Sequence, residues 1–273
     1  MNIMYCGDKN MENGLLISVM SLCKNTTEKL NIYVLTMTLD YNGKHYEPLS
    51  DEAARFVEEY INKNHKQGGF VKVYDVGEYF KENTPGVNMK TRFTPFCMLR
   101  LYADRITEIP DKILYLDTDV ICRKDIKEFY ETDVTKYEFI GVLDYYGSWF
   151  FRKKFYKRDY VNSGVLLLNM RKIKETGLFK NSREMCANKE MFMPDQSALN
   201  KLCKYKGFAH RKYNDQRRLH KDTVMQHFTT SFRLFPYFHA VTVKPWDVER
   251  VHSVLKLHEY DELLNEYLKI KGN

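Results

Sequence analysis

Residues 112–120, KILYLDTDV, carry an apolar strand straight into two aspartates at i and i+2. This run closes a series. Residues 3–6 (IMYC) form a short apolar run ended by Gly7 and Asp8, residues 31–37 (NIYVLTM) are a second β-branched run, and residues 70–76 resume a strand. Between them Ala53, Phe56, Val57, Tyr60 and Ile61 recur at helical spacing, and a further helix is predicted over 96–105. Strands alternating with helices are the signature of a parallel α/β sheet. At 273 residues, 44 % hydrophobic and 14 % aromatic, the chain has ample apolar surface for the core of a globular enzyme.

Farther along, residues 139–143 and 161–169 read as strands, separated by a basic aromatic segment at 149–160, WFFRKKFYKRDY. The last hundred residues are less regular until Tyr260, Leu263, Leu264, Tyr267 and Leu268 mark a packed terminal helix. With no repeat, low-complexity tract or linker, one domain over 1–273 is expected, in unequal halves 1–135 and 136–250 with a C-terminal helix in 251–273. The six cysteines lie far apart, which favours free thiols over a zinc site or a disulfide scaffold. The amino terminus lacks a signal-peptide pattern, and no window approaches the roughly 20 apolar residues of a membrane span, so a cytoplasmic chain is expected. Its charge of +7 favours anionic partners: nucleotide phosphates, an acidic membrane face or nucleic acid.

The aspartate pair is the sharpest chemical signal. In an extended chain side chains at i and i+2 point the same way, and ligands of open α/β sheets bind beyond the strands' carboxyl ends. Asp117 and Asp119 are therefore placed to hold a hard divalent cation, which would bridge to diphosphate oxygens. An Asp-x-Asp alone arises about once by chance in such a composition; its attachment to YLD at a strand end raises it. Competing devices are missing. No G-x-G-x-x-G follows the first strand, no P-loop occurs, and no G-x-S-x-G offers a nucleophile elbow.

Together these residues resemble glycosyltransferase family 8, which includes glycogenin and bacterial lipopolysaccharide galactosyl- and glucosyltransferases. Residues 1–10 (MNIMYCGDKN) are similar to the family's opening strand and uridine loop, and Arg100 stands seventeen residues before Asp117, where the family places an arginine. Residues 161–169 (VNSGVLLLN), 193–200 (MPDQSALN) and 244–246 (KPW) resemble three further family segments, in order. The resemblance implies a GT-A type nucleotide-diphospho-sugar transferase fold: one Rossmann-like, mostly parallel sheet with an irregular acceptor-side half. It implies that Cys6, Asp8 and Asn10 line the uridine pocket, with Thr118 and Lys244 also on the donor side and Arg100 facing sugar or diphosphate. Asn162, Ser163, Asp195 and Gln196 would line the sugar's hydroxyls, and Asp144, which ends the 139–143 strand, would bind an acceptor hydroxyl or simply cap a turn.

The family's third metal ligand is a histidine, and two compete here. His227 (TVMQHFTT) has the local context but lies 17 residues before Lys244; His239 (FHAVTVKPW) has the spacing but not the context. His227 is favoured, with 229–242 read as an insertion. Imidazole beside two carboxylates suits Mn2+, with Mg2+ the alternative. The implied activity is transfer of glucose or galactose from UDP-glucose or UDP-galactose to a glycan, lipid-linked or protein hydroxyl, with retention of configuration. Gln196 is a poor nucleophile, so a front-face route is expected in which the departing diphosphate takes the acceptor's proton. Two other readings compete: a sugar-nucleotide nucleotidyltransferase, which should show a glycine-rich basic loop, and a basic nucleic-acid-binding module built on 149–160. That segment would otherwise be an acceptor lid, a peripheral contact with the inner face of the plasma membrane, or a solvated loop.

Overall fold

Each of the apolar runs is a strand in the computed structural model, which describes residues 1–90, 95–147, 159–233 and 239–272. Along the chain follow β1 (Asn2–Cys6), β2 (Leu30–Thr36), β3 (Leu39–Tyr41), β4 (Lys44–Tyr46), β5 (Gly69–Asp75), β6 (Lys112–Leu116), β7 (Val120–Cys122), β8 (Phe139–Leu143), β9 (Val161–Asn169), β10 (Lys206–Phe208), β11 (Met225–His227), β12 (Ser231–Arg233) and β13 (His239–Val241). Seven of them make one sheet in the order β10-β8-β9-β6-β1-β2-β5. Strands β5, β2, β1 and β6 run parallel, as the alternating pattern predicts, but β9 is antiparallel to both of its neighbours, β6 and β8. The edge strand β10 is too short and polar to be read from sequence. Apart from Asp159 and Tyr160, the segment 149–160 lies outside the described residues.

Period-two alternation sends successive side chains to opposite faces. Ile3, Tyr5, Leu114, Leu116, Val165 and Leu167 join one apolar layer with helices α1 (Glu12–Asn25) and α2 (Asp51–Asn64) and the terminal helix Asp261–Gly272. Met4, Tyr33, Leu35, Ile113, Tyr115, Leu166 and Leu168 join the other, against Pro95–Arg105 and the helices Met170–Thr176, Leu178–Asn188 and Pro194–Leu202. The helix predicted over 96–105 is a 3-10 helix, Pro95–Arg105, with eight of its residues buried. It lies embedded over most of its length, with even Arg100 buried. No helix among the described residues is long and apolar enough to cross a membrane.

The reversal of β9 decides where the site can form. Leu116 pairs with Val165 and Leu143 with Val161, so the start of β9 meets the ends of β6 and β8 on one edge of the sheet. Residues following β1, β6 and β8 and those opening β9 therefore converge there. A second junction comes from β7, which pairs antiparallel with β11 and sets His227 opposite Val120.

The far end of β8 is fastened by a buried carboxylate. Glu138 accepts from the Lys204 and Tyr205 amides (2.7 and 2.9 Å), Thr176 Oγ1 (2.5 Å) and Cys203 Sγ (3.0 Å), joining β8, the approach to β10 and the helix Met170–Thr176. Burial opposes its ionisation, but these donors outweigh burial and hold the carboxyl below its ordinary 4.5. A folded-state value below the unfolded one means stability present above pH 4.5 and lost as pH falls through the lower folded value. Glu138→Ala should lower the unfolding free energy by about 2–4 kcal/mol in denaturant titrations at pH 7, since four donors lose a charged acceptor. Glu138→Gln should flatten the acid limb of the stability curve.

Candidate active site

The turn after β6 presents two carboxylates whose four oxygens divide into anchors and faces. Asp117 Oδ1 accepts from Arg100 Nη2 (3.0 Å) and the Tyr115 hydroxyl (2.6 Å), while Asp119 Oδ2 is paired with Lys244 Nζ. The remaining oxygens converge on His227 Nε2, Asp119 Oδ1 at 3.1 Å and Asp117 Oδ2 at 3.6 Å. Burial opposes the charge on Asp119, but the Lys244 ammonium beside it outweighs burial and holds the carboxyl well below the usual range. Lys244, mostly buried itself, is held charged by Asp119 and Asp117 against the cost of burial.

The tautomer of His227 follows from a chain of amides. Asn162 Oδ1 accepts from the Gly164 amide (3.0 Å), which can only donate, so Asn162 Nδ2 points the other way, to Asp144 Oδ2 at 3.0 Å. Asn162 Oδ1 also accepts from Asn214 Nδ2 (2.9 Å), which leaves Asn214 Oδ1 facing His227 Nδ1 at 3.2 Å. His227 therefore carries its proton on Nδ1, and its Nε2 lone pair faces two carboxylate oxygens. Three acceptors aimed at one point call for a cation between them, and each has the outer partner that orients metal ligands. The three ligand atoms lie within 4.8 Å of one another. A divalent cation fits this set of two carboxylate oxygens and one imidazole nitrogen. His239 sits in the β12–β13 hairpin, opposite Arg233, within the stretch read as an insertion.

Arg100 is 3 % exposed and lies between two carboxylates, Asp117 and Asp195 (Nε to Oδ2, 3.3 Å). It also donates to the carbonyls of Ser163 (2.5 Å) and Cys97 (3.0 Å), and its guanidinium lies 3.9 Å over the Tyr115 ring. Burial pushes the Asp195 carboxyl up, Arg100 counters it and Asp117 adds to it. Gln196 Oε1 accepts from the Ser163 amide (2.8 Å), and its Nε2 donates to Asp144 Oδ2 (3.1 Å). Asp144 Oδ1 accepts from the Gly147 amide (2.5 Å), so this aspartate caps its turn and binds two side-chain amides at once.

These side chains line one cavity of about 400 Å³, with Arg100, Asp117, Asp119, Asp144, Asn162, Ser163, Asp195, Gln196, His227 and Lys244 all in its wall. Aromatic residues Tyr146, Phe192 and Phe232 stand in the same wall. Cys6, Asp8, Asn10 and Thr118 do not line it. Asp8 precedes a short 3-10 helix without capping it through its side chain, and instead accepts from Asn10 Nδ2 (2.9 Å). Burial pushes the Cys6 thiol up. Thr118 meets Gly14 of α1 beside Trp246, where a Cβ would lie 2.8 Å from the Thr118 carbonyl oxygen.

Sequence reasoning missed Asn214, Tyr115 and the particular need for Gly164. A Cβ at Gly164 would lie 2.1 Å from His227 Cε1 and 2.7 Å from Asp117 Oδ2. The signal available was a glycine inside an apolar strand, which marks close approach. Gly164→Ala should displace His227. Long-range 1H–15N spectra of the imidazole are expected to show the Nδ1–H tautomer in the parent protein and its loss in the variant; an unchanged tautomer would contradict this packing.

Comparison with known proteins gives the same picture from outside. A Haemophilus influenzae protein provisionally named as a glycosyltransferase is 27 % identical over 228 residues, covering 78 % of this chain and 63 % of its own length, so the chain spans less than two thirds of that relative. The lipopolysaccharide 1,2-glucosyltransferase of Escherichia coli is 23 % identical over 305 residues, covering 96 % of this chain and 84 % of that protein. Among solved structures, the galactosyltransferase LgtC in complex with donor and acceptor sugar analogs superposes with a TM-score of 0.68 at 20 % identity, covering 97 % of this chain and 96 % of that one. The fold is thus of the GT-A type. The sequence profile of glycosyl transferase family 8 matches residues 2–249, and the chain belongs to that family.

Proposed function

We propose that the protein transfers a hexose, glucose or galactose, from a UDP-sugar to a hydroxyl of a glycan, lipid-linked or protein acceptor, with retention of configuration and with Mn2+ as cofactor. The observation that carries this reading is the convergence of Asp117 Oδ2, Asp119 Oδ1 and His227 Nε2 in the wall of a cavity otherwise lined by short amides and carboxylates. The glucosyl- and galactosyltransferase relatives support the sugar class. In this reading 1–273 works as one catalytic unit in the cytoplasm, and Cys6, Asp8 and Asn10 receive the uridine.

Asp117, Asp119 and His227 would hold the cation, which supplies positive charge against a departing diphosphate. Lys244 adds a second, fixed positive charge beside Asp119. Arg100 acts mainly by holding Asp117 and Asp195 in place, since its donors are spent on carboxylates and carbonyls. Asn162, Ser163 and Asp195 offer polar groups to sugar hydroxyls. Gln196 is gripped at both ends of its amide, so its oxygen is fixed in position to steady positive charge developing at the anomeric carbon. The departing diphosphate oxygen takes the acceptor's proton, and Asp144 orients the acceptor hydroxyl.

Hydrolysis of a panel of nucleotide sugars in the presence of manganese tests the reading: UDP-glucose or UDP-galactose should turn over, and a preference for a non-uridine donor would overturn it. Gln196→Ala should lower kcat by about 10 to 10³ fold, on the order of 1.4–4 kcal/mol, with little change in donor KM. A normal kcat with a raised KM would make Gln196 a binding residue only.

A further inference from the structure

A second cavity, of about 380 Å³, adjoins the first and shares Asp144 and Gln216 with it. Its wall carries three arginines, Arg211, Arg217 and Arg218. They are not equivalent. Arg211 is paired with Asp215 and Asp222, and the buried Asp215 also accepts from Thr223 and faces His220 Nδ1 at 2.7 Å. Asp144, the other carboxylate of the wall, accepts from Gly147, Asn162 and Gln196 and pairs with no arginine among the described residues. Arg217 and Arg218 have no carboxylate partner among the described residues.

Both are nonetheless held in place. The Arg217 guanidinium lies 5.1 Å over the Tyr145 ring, and its Nη1 donates to that tyrosine's hydroxyl at 2.5 Å. Arg218 Nε donates to His220 Nε2 at 3.1 Å. Gln216, which lines both cavities, accepts from the Tyr145 amide (2.9 Å) and donates to the Leu143 carbonyl (3.0 Å). Two oriented guanidinium groups at a concave surface, with the local carboxylates already committed, form a receptor for a doubly charged oxyanion. Phosphate monoesters carry close to that charge at neutral pH.

We infer that Arg217 and Arg218 bind a phosphoryl group carried by the acceptor, on the far side of Asp144 from the Asp117–Asp119–His227 cluster. This rests on the glycosyltransferase reading only in naming the phosphoryl carrier as the acceptor; the anion site itself is independent of it. The acceptor hydroxyl would reach Asp144 from the first cavity while its phosphate, on a sugar or in a lipid headgroup, lies in the second.

The test titrates methyl α-glucoside 6-phosphate, and in parallel the neutral glucoside, into protein saturated with UDP and manganese at about 0.15 M salt, where non-specific surface attraction is largely screened. The phosphorylated probe should bind in preference to the neutral one. The double variant Arg217→Gln, Arg218→Gln should weaken it by roughly thirtyfold while leaving UDP affinity and thermal melting unchanged. Equal binding of the two probes, or equal affinity in parent and variant, together with vesicle binding that the variant leaves unchanged, would overturn the inference. Flotation with phosphatidic acid vesicles separates the sources: variant-sensitive vesicle binding without binding of the soluble probe assigns the phosphate to a lipid headgroup, and the reverse to a sugar. UDP-sugar hydrolysis is read on the same proteins. Its absence from both would refute the glycosyltransferase reading while the phosphate result stands by itself.

Discussion

A buried guanidinium organises this site. Arg100 sits between Asp117 and Asp195, both in the wall of the cavity, and reaches the carbonyl of Ser163 at the start of β9. Placing a cation there is costly, and removing one partner of such a group leaves an uncompensated buried charge. The arrangement holds because three segments far apart in the chain arrive together: the 3-10 helix carrying Arg100, the turn after β6, and the helix beginning at Pro194. The reward is positional. Asp117 keeps one oxygen for its anchor and presents the other toward His227.

The amide chain from Gly164 through Asn162 and Asn214 to His227 works in the same way from the opposite side. A backbone amide has one possible role, so it propagates an unambiguous orientation through two asparagines to an imidazole. The branch through Asp144 continues to Gln196 and back to the Ser163 amide. The cluster and the polar wall of the cavity are therefore one hydrogen-bonded network, and disturbance at either end is transmitted as a change of orientation rather than a loss of fold. Such networks are valuable when fully satisfied and fragile when not.

Much of this was legible in the sequence where the determinants are local. The parallel strands showed themselves as apolar runs, the Asp117–Asp119 pair as a strand end, and β9 by its apolar stretch 165–168. The direction of β9 was not legible, because a strand buried on both faces reads alike in either direction, and only pairing with β6 and β8 fixes it. Nor were the pairings of Glu138 with Thr176, Asn214 with Asn162 and Lys244 with Asp119, which join residues 38, 52 and 125 apart. His227 was favoured over His239 from local context and a resemblance, and its meeting with the aspartates depends on β7 pairing with β11, which no local pattern encodes. Arg217 and Arg218 carry no signal in the sequence, since basic residues in a basic chain stand out only once their neighbours are known.

The central claim is that Asp117, Asp119 and His227 form a single divalent cation site. Electron paramagnetic resonance of free Mn2+ titrated with the protein measures it directly. One ion per chain should be withdrawn from the free signal by the parent protein, and Asp119→Asn should abolish that uptake while circular dichroism shows the fold retained. Undiminished manganese uptake by the folded Asp119→Asn protein, or no uptake by the parent, would contradict the account.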